Sequence, residues 1–519
     1  MDAIFTLVGQ VGDALGVVAD AKMLLIIFGG SIMGLLVGVI PGLTATMALA
    51  LLINISYGMQ LNYAVGFLIA VYVGATSGGL CSAIMMNIPG TPAAAATAID
   101  GHQLARRGEG GIAIGTGYIA SFIGTVFSIL IMLTMTPLIY MIAIKFGHWE
   151  MFLIALFGIM ICGSLSTDKD PLKGWIVGFI GFAAAMIGME AIYAYPRFTM
   201  GYLQLKGGIP LIPCLIGVFG ISEVLAVLQE TTPYKIDGKI GRIIPPMSVF
   251  KDLIPATIRS GVIGVIVGAI PGAGEDVGSW VSYDMGRRRS KHPEEFGKGS
   301  LEGVVCPEVA NNAVIGGAMI PMLTLAVPGS PPNALLLAAI TLHGVKAGPM
   351  LEKENPGFLA MIAVILAVAA LAMVIWGLLL AKPMVAILKV KREILLPLVV
   401  PLTLIGAYAG GVRIFDVYAM LFFGVLGYVL RRLDFPLAPL VLGLILGPMA
   451  DISFRRALMQ SRSQFGPLLE RPIGLVLIGA ILFILGTGII KIRQYHSGKT
   501  LADEILNEVG QGQDAPKAE

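Results

Sequence analysis

Four Pro-Gly pairs interrupt apolar stretches of this sequence and are followed by small polar or acidic residues. The pairs are Pro41-Gly42, Pro89-Gly90, Pro271-Gly272 and Pro328-Gly329. Proline removes a backbone donor and glycine permits unusual conformations, so each pair predicts a break in a helix. At membrane depth, broken backbone survives only inside protein or beside a wet cavity. Helix N-termini at these breaks could bind a carboxylate through N–H groups, and free carbonyl groups could bind a cation.

Polar side chains near the breaks extend this predicted site. Hydroxyl and amide groups can bind a carboxylate or a cation without placing a full charge in the membrane. Besides the Pro-Gly pairs, the predicted substrate-binding residues are Thr44, Asn87, Thr91, Gly274, Asn312, Ser330 and Asn333. The alternative for each Ser or Thr is a helix cap. For Asn311 and Asn312, which follow Glu308, the alternative is a loop or a cap.

Two adjacent acids, Glu275 and Asp276, begin the stretch after the third break. An acid inside a membrane is costly, and it therefore marks a functional site by default. With Thr46, these acids are the predicted residues for a coupling ion, either a transported sodium ion or a proton. The alternative is that both acids complement a helix dipole at an exposed mouth.

Composition excludes several classes of protein. The 519 residues are 56% hydrophobic and 13% charged, whereas a soluble chain has roughly 25% charged residues. A surface so poor in charge argues against a soluble enzyme, a disordered chain and a nucleic-acid binder. The four cysteines form no CxxC and the five histidines have no metal-ligand spacing. Because HExxH, GxSxG and P-loop motifs are also missing, we expect no enzyme, no cofactor, no bound metal beyond a transported sodium ion and no ATP.

Apolar runs of about 20 residues recur along the chain. They predict an all-α polytopic membrane protein with about 10 to 14 membrane segments, some of them broken or re-entrant. Residues 1–22 are predicted to form an amphipathic interfacial helix, 231–250 a cytoplasmic linker and 493–519 a disordered polar tail. Arginines flank the run 435–450 on both sides, so this run either crosses the membrane or re-enters it.

The chain contains an internal repeat. GLLVGVIPG at 34–42 matches GVIVGAIPG at 264–272, and NIPGTP at 87–92 resembles AVPGSP at 326–331. We therefore predict a first membrane repeat over 23–230 and a second, with further C-terminal helices, over 251–492.

The loops after the first Pro-Gly pair of each copy predict that the repeats run in opposite directions. The loop at 56–62 carries no charge, whereas the loop at 287–291 is basic and is expected in the cytoplasm. Inverted repeats are common among secondary transporters, which bind substrate at the repeat interface near mid-membrane. A channel, a membrane enzyme and a scaffold are the alternatives. An enzyme would need a nucleophile–base pair or a metal cluster, and the sequence shows neither.

Five long blocks carry a resemblance to a known family. They are GLLVGVIPGLTATMALALL (34–52), NIPGTPAAAATAIDGHQLARRGEGG (87–111), GVIVGAIPGAGEDVGSWVSY (264–283), FGKGSLEGVVCPEVANNAVIGGAMIPMLTLAVPGSP (296–331) and FPLAPLVLGLILGPMADISFRRAL (435–458). The chain resembles the large membrane subunit of the tripartite tricarboxylate transporters, the TctA family.

The resemblance implies a permease subunit in the bacterial inner membrane. Its expected partners are a small membrane subunit, a periplasmic substrate-binding protein, membrane lipid and a carboxylate such as citrate or another di- or tricarboxylate. A sodium or proton gradient would drive the uptake through alternating access. The family's substrate and ion residues carry over only to the Pro-Gly segments named above.

Overall fold

The structure, a computed structural model, describes residues 2–165, 170–228, 240–246, 248–388 and 392–496. Half of the predicted cytoplasmic linker and nearly all of the predicted polar tail lie outside these residues. The helices in the N-terminal part, in chain order, are α1 (Asp2–Val18), α2 (Ala21–Val39), α3 (Ala45–Leu52), α4 (Leu61–Met86), α5 (Ala94–Arg106), α6 (Gly110–Ala143), α7 (His148–Leu165), α8 (Pro171–Ala185), α9 (Leu203–Lys206), α10 (Leu211–Leu215), α11 (Ser222–Val227) and α12 (Ser248–Asp252).

The C-terminal part continues the helical pattern. Its helices are α13 (Ile254–Ala269), α14 (Gly274–Arg289), α15 (Leu301–Leu325), α16 (Pro331–Leu342), α17 (Leu351–Glu354), α18 (Phe358–Leu379), α19 (Ala381–Ile387), α20 (Arg392–Gly411), α21 (Ile414–Arg432), α22 (Ala438–Gln460), α23 (Gly466–Leu469) and α24 (Pro472–His496). Short 3-10 turns cover Ile53–Gly58 and Pro293–Glu295, and a π-helical stretch covers Ile216–Ile221. Strands β1 (Gly188–Met189) and β2 (Pro196–Arg197) form a small antiparallel pair with Gly188 opposite Arg197.

Within the described ranges, nine helices are long and apolar enough to cross a membrane: α2, α4, α6, α7, α15, α18, α21, α22 and α24. Seven shorter apolar helices, of 10 to 17 residues, accompany them. The predicted all-α polytopic membrane fold is therefore confirmed. The run 435–450, whose path the sequence left open, belongs mostly to the continuous helix α22.

Packing divides the chain into two compact units. The first comprises Met1–Lys145, Ile187–Met189 and Pro196–Leu433, and the second comprises Phe146–Met186, Glu190–Tyr195 and Asp434–Glu519. All the predicted site residues belong to the first unit. This division follows packing, whereas the predicted segment boundaries follow the repeat in the sequence.

In the second unit, α7, α8 and α22 approach one another through glycines. A Cβ at Gly174 would collide with the Gly163 carbonyl oxygen, and one at Gly181 would collide with that of Leu440. Small residues let membrane helices come this close. The buried Glu150 pairs with Arg471 of this unit at 3.1 Å.

In the first unit, two helices, α4 and α15, form the interior. The apolar stretch of each helix that is long enough to span a membrane is wholly buried. Helix α2 packs on α4 because Gly34 lies against the Val71 carbonyl group, where a Cβ would not fit. Helix α13 packs on α15 in the same way, because Gly264 lies against the carbonyl oxygen of Ala310.

The two copies of the repeat also share their local backbone. Gly42 and Gly272 have φ of 90° and 75° after the first break of each copy. Helices α4 and α15 both end on a left-handed residue, Asn87 with φ 56° and Ala326 with φ 58°. Equivalent sequence positions therefore adopt equivalent conformations. That the copies run in opposite directions stays a prediction.

Candidate functional site

Each Pro-Gly pair lies between two helices. The pairs separate α2 from α3, α4 from α5, α13 from α14 and α15 from α16. Each break thus places the N-terminus of a helix close to the C-terminus of the preceding one. We call each Pro-Gly pair, together with the start of the helix that follows it, a tip. The four tips are numbered in chain order.

The hydroxyl groups at the first two tips cap helices. Thr44 Oγ1 accepts a hydrogen bond from the Met47 N–H at 3.2 Å, at the start of α3. Thr91 Oγ1 accepts from the Ala94 N–H at 3.4 Å, at the start of α5. The helix-cap alternative therefore describes both threonines. A hydroxyl that caps a helix keeps its hydrogen, which it can still donate to an anion.

Glycines let the tips pack in pairs. A Cβ at Gly90 of the second tip would collide with the Gly38 carbonyl group, at the end of α2. A Cβ at Gly329 of the fourth tip would collide with the Gly268 carbonyl group, at the end of α13. The third and fourth tips are also joined by a backbone hydrogen bond of 2.9 Å from the Gly272 N–H to the Gly329 carbonyl oxygen.

A buried carboxylate, Glu275, connects both repeats. Its side chain is 8% exposed. Glu275 Oε1 accepts a short hydrogen bond from the Tyr72 hydroxyl of α4 and another, of 3.1 Å, from the Ser330 hydroxyl of the fourth tip. The hydroxyl oxygens of Tyr72 and Ser330 are themselves 3.1 Å apart. The first repeat supplies Tyr72, and the second supplies the other two residues.

Asn333, in the first turn of α16, completes this group. Its Nδ2 lies 3.4 Å from both the Tyr72 and the Ser330 hydroxyl oxygens. Its Oδ1 is buried and has no hydrogen-bond partner among the described residues. We call Tyr72, Glu275, Ser330 and Asn333 the Glu275 cluster. It offers a carboxylate, two hydroxyl oxygens and an amide oxygen, which are the oxygen ligands that suit a small hard cation.

Asp276, in contrast, has an exposed side chain. Its carboxylate lies against the backbone N–H of Ala93, at the N-terminus of α5. This contact satisfies a free helix donor and complements the dipole of α5. The two adjacent acids therefore differ. Glu275 belongs to the buried cluster, and Asp276 occupies the second tip.

The other predicted residues lie around these contacts. Thr46 is buried in the first turn of α3, and Asn87 is exposed at the end of α4. Asn312 does not take part in the Glu275 cluster. Its Nδ2 donates to Ser77 Oγ at 2.9 Å and to Thr125 Oγ1 at 3.2 Å, which joins α15 to α4 and α6.

Sequence reasoning missed Tyr72. The sequence gives little indication of a role for Tyr72, because a tyrosine within an apolar run resembles any other aromatic core residue. Sequence reasoning also assigned no binding role to Glu308, which is 1% exposed in the middle of α15. Here a signal was available, since an acid within a membrane segment indicates a functional site.

Comparison with known proteins identifies the family. The model of the tripartite tricarboxylate transporter TctA family matches residues 24–442. The chain belongs to the TctA family. The resemblance in the five sequence blocks is thereby confirmed, and the chain is a multi-pass membrane protein of a transporter family.

Two relatives of this TctA-family chain come from Agrobacterium vitis. One, described as an uncharacterized 52.8 kDa protein in the TAR-I ttuC' 3' region, is 33% identical over 482 residues, which cover 93% of this chain and 95% of the relative. The other, an uncharacterized protein in the TAR-II ttuC' 3' region, is 38% identical over 216 residues, which cover 42% of this chain and 89% of that protein. No solved structure matches the chain.

Proposed function

We propose that this TctA-family chain is the permease subunit of a three-part uptake system in the bacterial inner membrane. It imports a carboxylate, such as citrate or another di- or tricarboxylate, which a periplasmic binding protein delivers. A small membrane subunit works beside it in the lipid bilayer. A sodium or proton gradient drives the import through alternating access. The Glu275 cluster carries the proposal, because it joins a buried carboxylate to both repeats.

The coupling ion binds at Glu275. An uncompensated carboxylate inside a protein is costly, and hydroxyl donors offset only part of that cost. A sodium ion or a proton removes the charge. The unpartnered Asn333 Oδ1 and the hydroxyl oxygens of Tyr72 and Ser330 supply further ligands for sodium. Thr46 and Asp276 remain the other candidates for this role.

The substrate carboxylate contacts the hydroxyl-bearing tips of the first repeat. Thr44 and Thr91 can donate hydrogen bonds there, because a hydroxyl that caps a helix keeps its own hydrogen. Ser330 and Asn333, which the sequence also assigns to substrate, contact the substrate only when a cation has neutralised Glu275. Binding of the cation therefore lowers the cost of binding the anion, and this dependence couples the two fluxes.

Uptake of radiolabelled citrate into proteoliposomes tests the proposal. The vesicles contain this chain and its small partner, the binding protein is added outside, and an inward sodium or proton gradient is imposed or omitted. We expect accumulation above equilibrium only with a gradient, and loss of this accumulation in Glu275→Gln. The matched control is Glu302→Gln, which removes a carboxylate that is ion-paired with Arg259 at 3.4 Å.

Two results would contradict parts of the proposal. Uptake that merely equilibrates with every gradient would indicate an uncoupled facilitator. No uptake of citrate by folded protein would exclude citrate as the substrate, and a ligand screen of the binding protein would then identify the carboxylate.

A further inference from the structure

A second carboxylate, Glu308, is buried outside the Glu275 cluster. It lies on α15 immediately after Pro307 and is 1% exposed. None of the hydrogen bonds of the Glu275 cluster involves it. Its burial therefore needs an explanation that the proposed substrate and coupling-ion contacts do not provide.

Both carboxylate oxygens of Glu308 face hydroxyl groups. Thr97 Oγ1 of α5 donates to Oε1 at 2.6 Å, and Ser121 Oγ of α6 donates to Oε2 at 2.9 Å. The Asn311 amide, one turn further along α15, also contacts the carboxylate. Three helices thus enclose one acidic side chain, and we call these four residues the Glu308 site.

In the part of the chain that the structure describes, no cation compensates Glu308. Among the described residues, no lysine, arginine or histidine forms an ion pair with it. Glu302, six residues earlier on the same helix, does have such a partner in Arg259. A buried carboxylate without a counter-charge is neutralised by taking up a positive ion or a proton.

The distances favour a proton over a metal ion. The hydroxyl oxygens of Thr97 and Ser121 contact the carboxylate directly. No gap is left between these oxygens for a cation with its own coordination shell, whereas a proton needs none. The observed separations suit either direction of donation, because a hydroxyl can also accept from a protonated carboxyl group.

We propose that Glu308 is a proton-binding site of this transporter, held between α5, α6 and α15 by Thr97 and Ser121. The proton binds one carboxylate oxygen, and the resulting O–H donates to the facing hydroxyl oxygen. That hydroxyl turns its own hydrogen to a carbonyl group of its own helix, as Ser and Thr commonly do in helices. The role of the site in coupling rests on the proposed transport function, but its protonation does not.

Asn311 places the Glu308 site close to the rest of the polar interior. Its Nδ2 donates to the Thr76 carbonyl oxygen of α4 at 3.3 Å. Thr76 lies one helical turn after Tyr72, which belongs to the Glu275 cluster. Asn311 Oδ1 and Thr76 Oγ1 are both buried without hydrogen-bond partners in the described part of the chain. Polar groups therefore continue from one buried acid towards the other.

The other titratable groups described around Glu308 leave its charge uncompensated. Cys81 of α4 and Tyr118 of α6 face it, and both are neutral donors at neutral pH. On α5, Asp100 is held by Tyr283 of α14 and by backbone N–H groups. His102, also on α5, is bonded to the Ile84 carbonyl oxygen. On α13, Arg259 is paired with Glu302.

Infrared spectroscopy of the purified protein tests the site without any transport. A protonated carboxyl group has a C=O stretch that is separate from the bands of ionised carboxylates. At neutral pH we expect the difference spectrum between wild type and Glu308→Gln to show the loss of one protonated-carboxyl band. Glu302→Gln, on the same helix, is expected to lose ionised-carboxylate bands only.

A second variant covers the case in which Glu308→Gln does not fold. Thr97→Val removes the donor at 2.6 Å and is expected to shift the frequency of the same band. A neutral-pH spectrum in which Glu308→Gln loses only ionised-carboxylate bands would overturn the proposal, as would an unshifted spectrum in Thr97→Val.

Transport assays separate this proposal from the proposed function. In wild type the rate of carboxylate uptake should vary with pH, and in Glu308→Gln this variation should flatten. If wild-type protein shows the protonated band but transports no carboxylate, the proposed function fails and the Glu308 site stands. If wild-type protein transports a carboxylate but lacks the protonated-carboxyl band, the proposed function stands and the Glu308 site fails.

Discussion

Single residues decide whether the buried charge at Glu275 is stabilised. Tyr72 is the one member of the Glu275 cluster that comes from the first repeat, and its hydroxyl contacts Glu275, Ser330 and Asn333. A phenol within α4 can do this because the hydroxyl lies at the far end of a rigid, apolar ring. The tyrosine therefore links the geometry of one repeat to the charge state of the other.

Replacing Tyr72 by phenylalanine should weaken binding of a coupling sodium ion about tenfold, or about 1.4 kcal/mol. The physical reason is that the ion loses the phenol oxygen as a ligand. The measurement is the sodium concentration that gives half-maximal citrate uptake. Tyr140→Phe is the control, since among the described residues the hydroxyl of this other buried tyrosine donates only to the Leu323 carbonyl oxygen, at 3.3 Å. Equal effects of the two substitutions would contradict a specific role for Tyr72.

Another buried acid, Asp100, has a structural role. Its Oδ2 accepts from the Tyr283 hydroxyl at 2.8 Å, and its Oδ1 accepts from the N–H groups of Gly299 and Ser300 at 2.9 Å each. It therefore fastens α5 to α14 and to the start of α15, whose own N-cap residue makes no side-chain capping bond.

Asp100→Asn should destabilise the protein by about 2 to 3 kcal/mol, because hydrogen bonds to an ionised group are lost or weakened. Thermal unfolding in detergent measures the effect as a lower midpoint temperature. Asp284→Asn serves as the comparison, since Asp284 is 57% exposed and forms only a surface pair with Arg288. A midpoint that falls as far in Asp284→Asn would show that any lost acid has this effect.

At the scale of helices, the breaks could be predicted and the contacts between helices could not. A Pro-Gly pair acts on its own backbone, so the sequence alone located all four tips. The bond from Tyr72 to Glu275 spans 203 residues of chain. Helix α4 is buried on every side, so no amphipathic pattern shows which of its faces meets α14. Glu275 and Asp276 point about 100° apart on their helix, and the sequence does not tell which one points inward.

Glycines in α2 give a test of how closely the helices pack. Gly34→Ala should destabilise the protein by about 2 kcal/mol, because the new methyl group would collide with the Val71 carbonyl group of α4. Gly29→Ala, on the same helix, meets nothing within 4 Å and should be neutral or stabilising by up to about 1 kcal/mol. The stability of both variants is measured by thermal unfolding in detergent. Similar midpoints for the two variants would contradict close packing of α2 on α4.

For the whole molecule, the proposed alternating access depends on the predicted opposite orientation of the repeats. Helices α4 and α15 begin at equivalent positions of the two copies, after Gln60 and Ser300. If the copies are inverted, these helix starts lie on opposite sides of the membrane. A single membrane-impermeant reagent can distinguish the two sides.

Gln60→Cys and Lys298→Cys should react with a membrane-impermeant maleimide from opposite sides. Both positions are exposed, and the four native cysteines are buried, so wild-type protein should remain unlabelled. Labelling is compared between spheroplasts and inside-out vesicles. Reaction of both variants from the same side would show that the repeats are parallel.

The left-handed residue at the end of α15 offers a position for a stabilising substitution. Asn87 tolerates such a backbone, but its counterpart Ala326, at φ 58°, pays a steric penalty of about 1 kcal/mol. Ala326→Gly relieves that penalty and is expected to raise the unfolding midpoint, although glycine also gains freedom in the unfolded chain. Membrane proteins are commonly lost during detergent extraction, and even a modest gain prolongs their survival as purified samples. Comparison of the two copies of the repeat thus indicates where this transporter could be stabilised for purification.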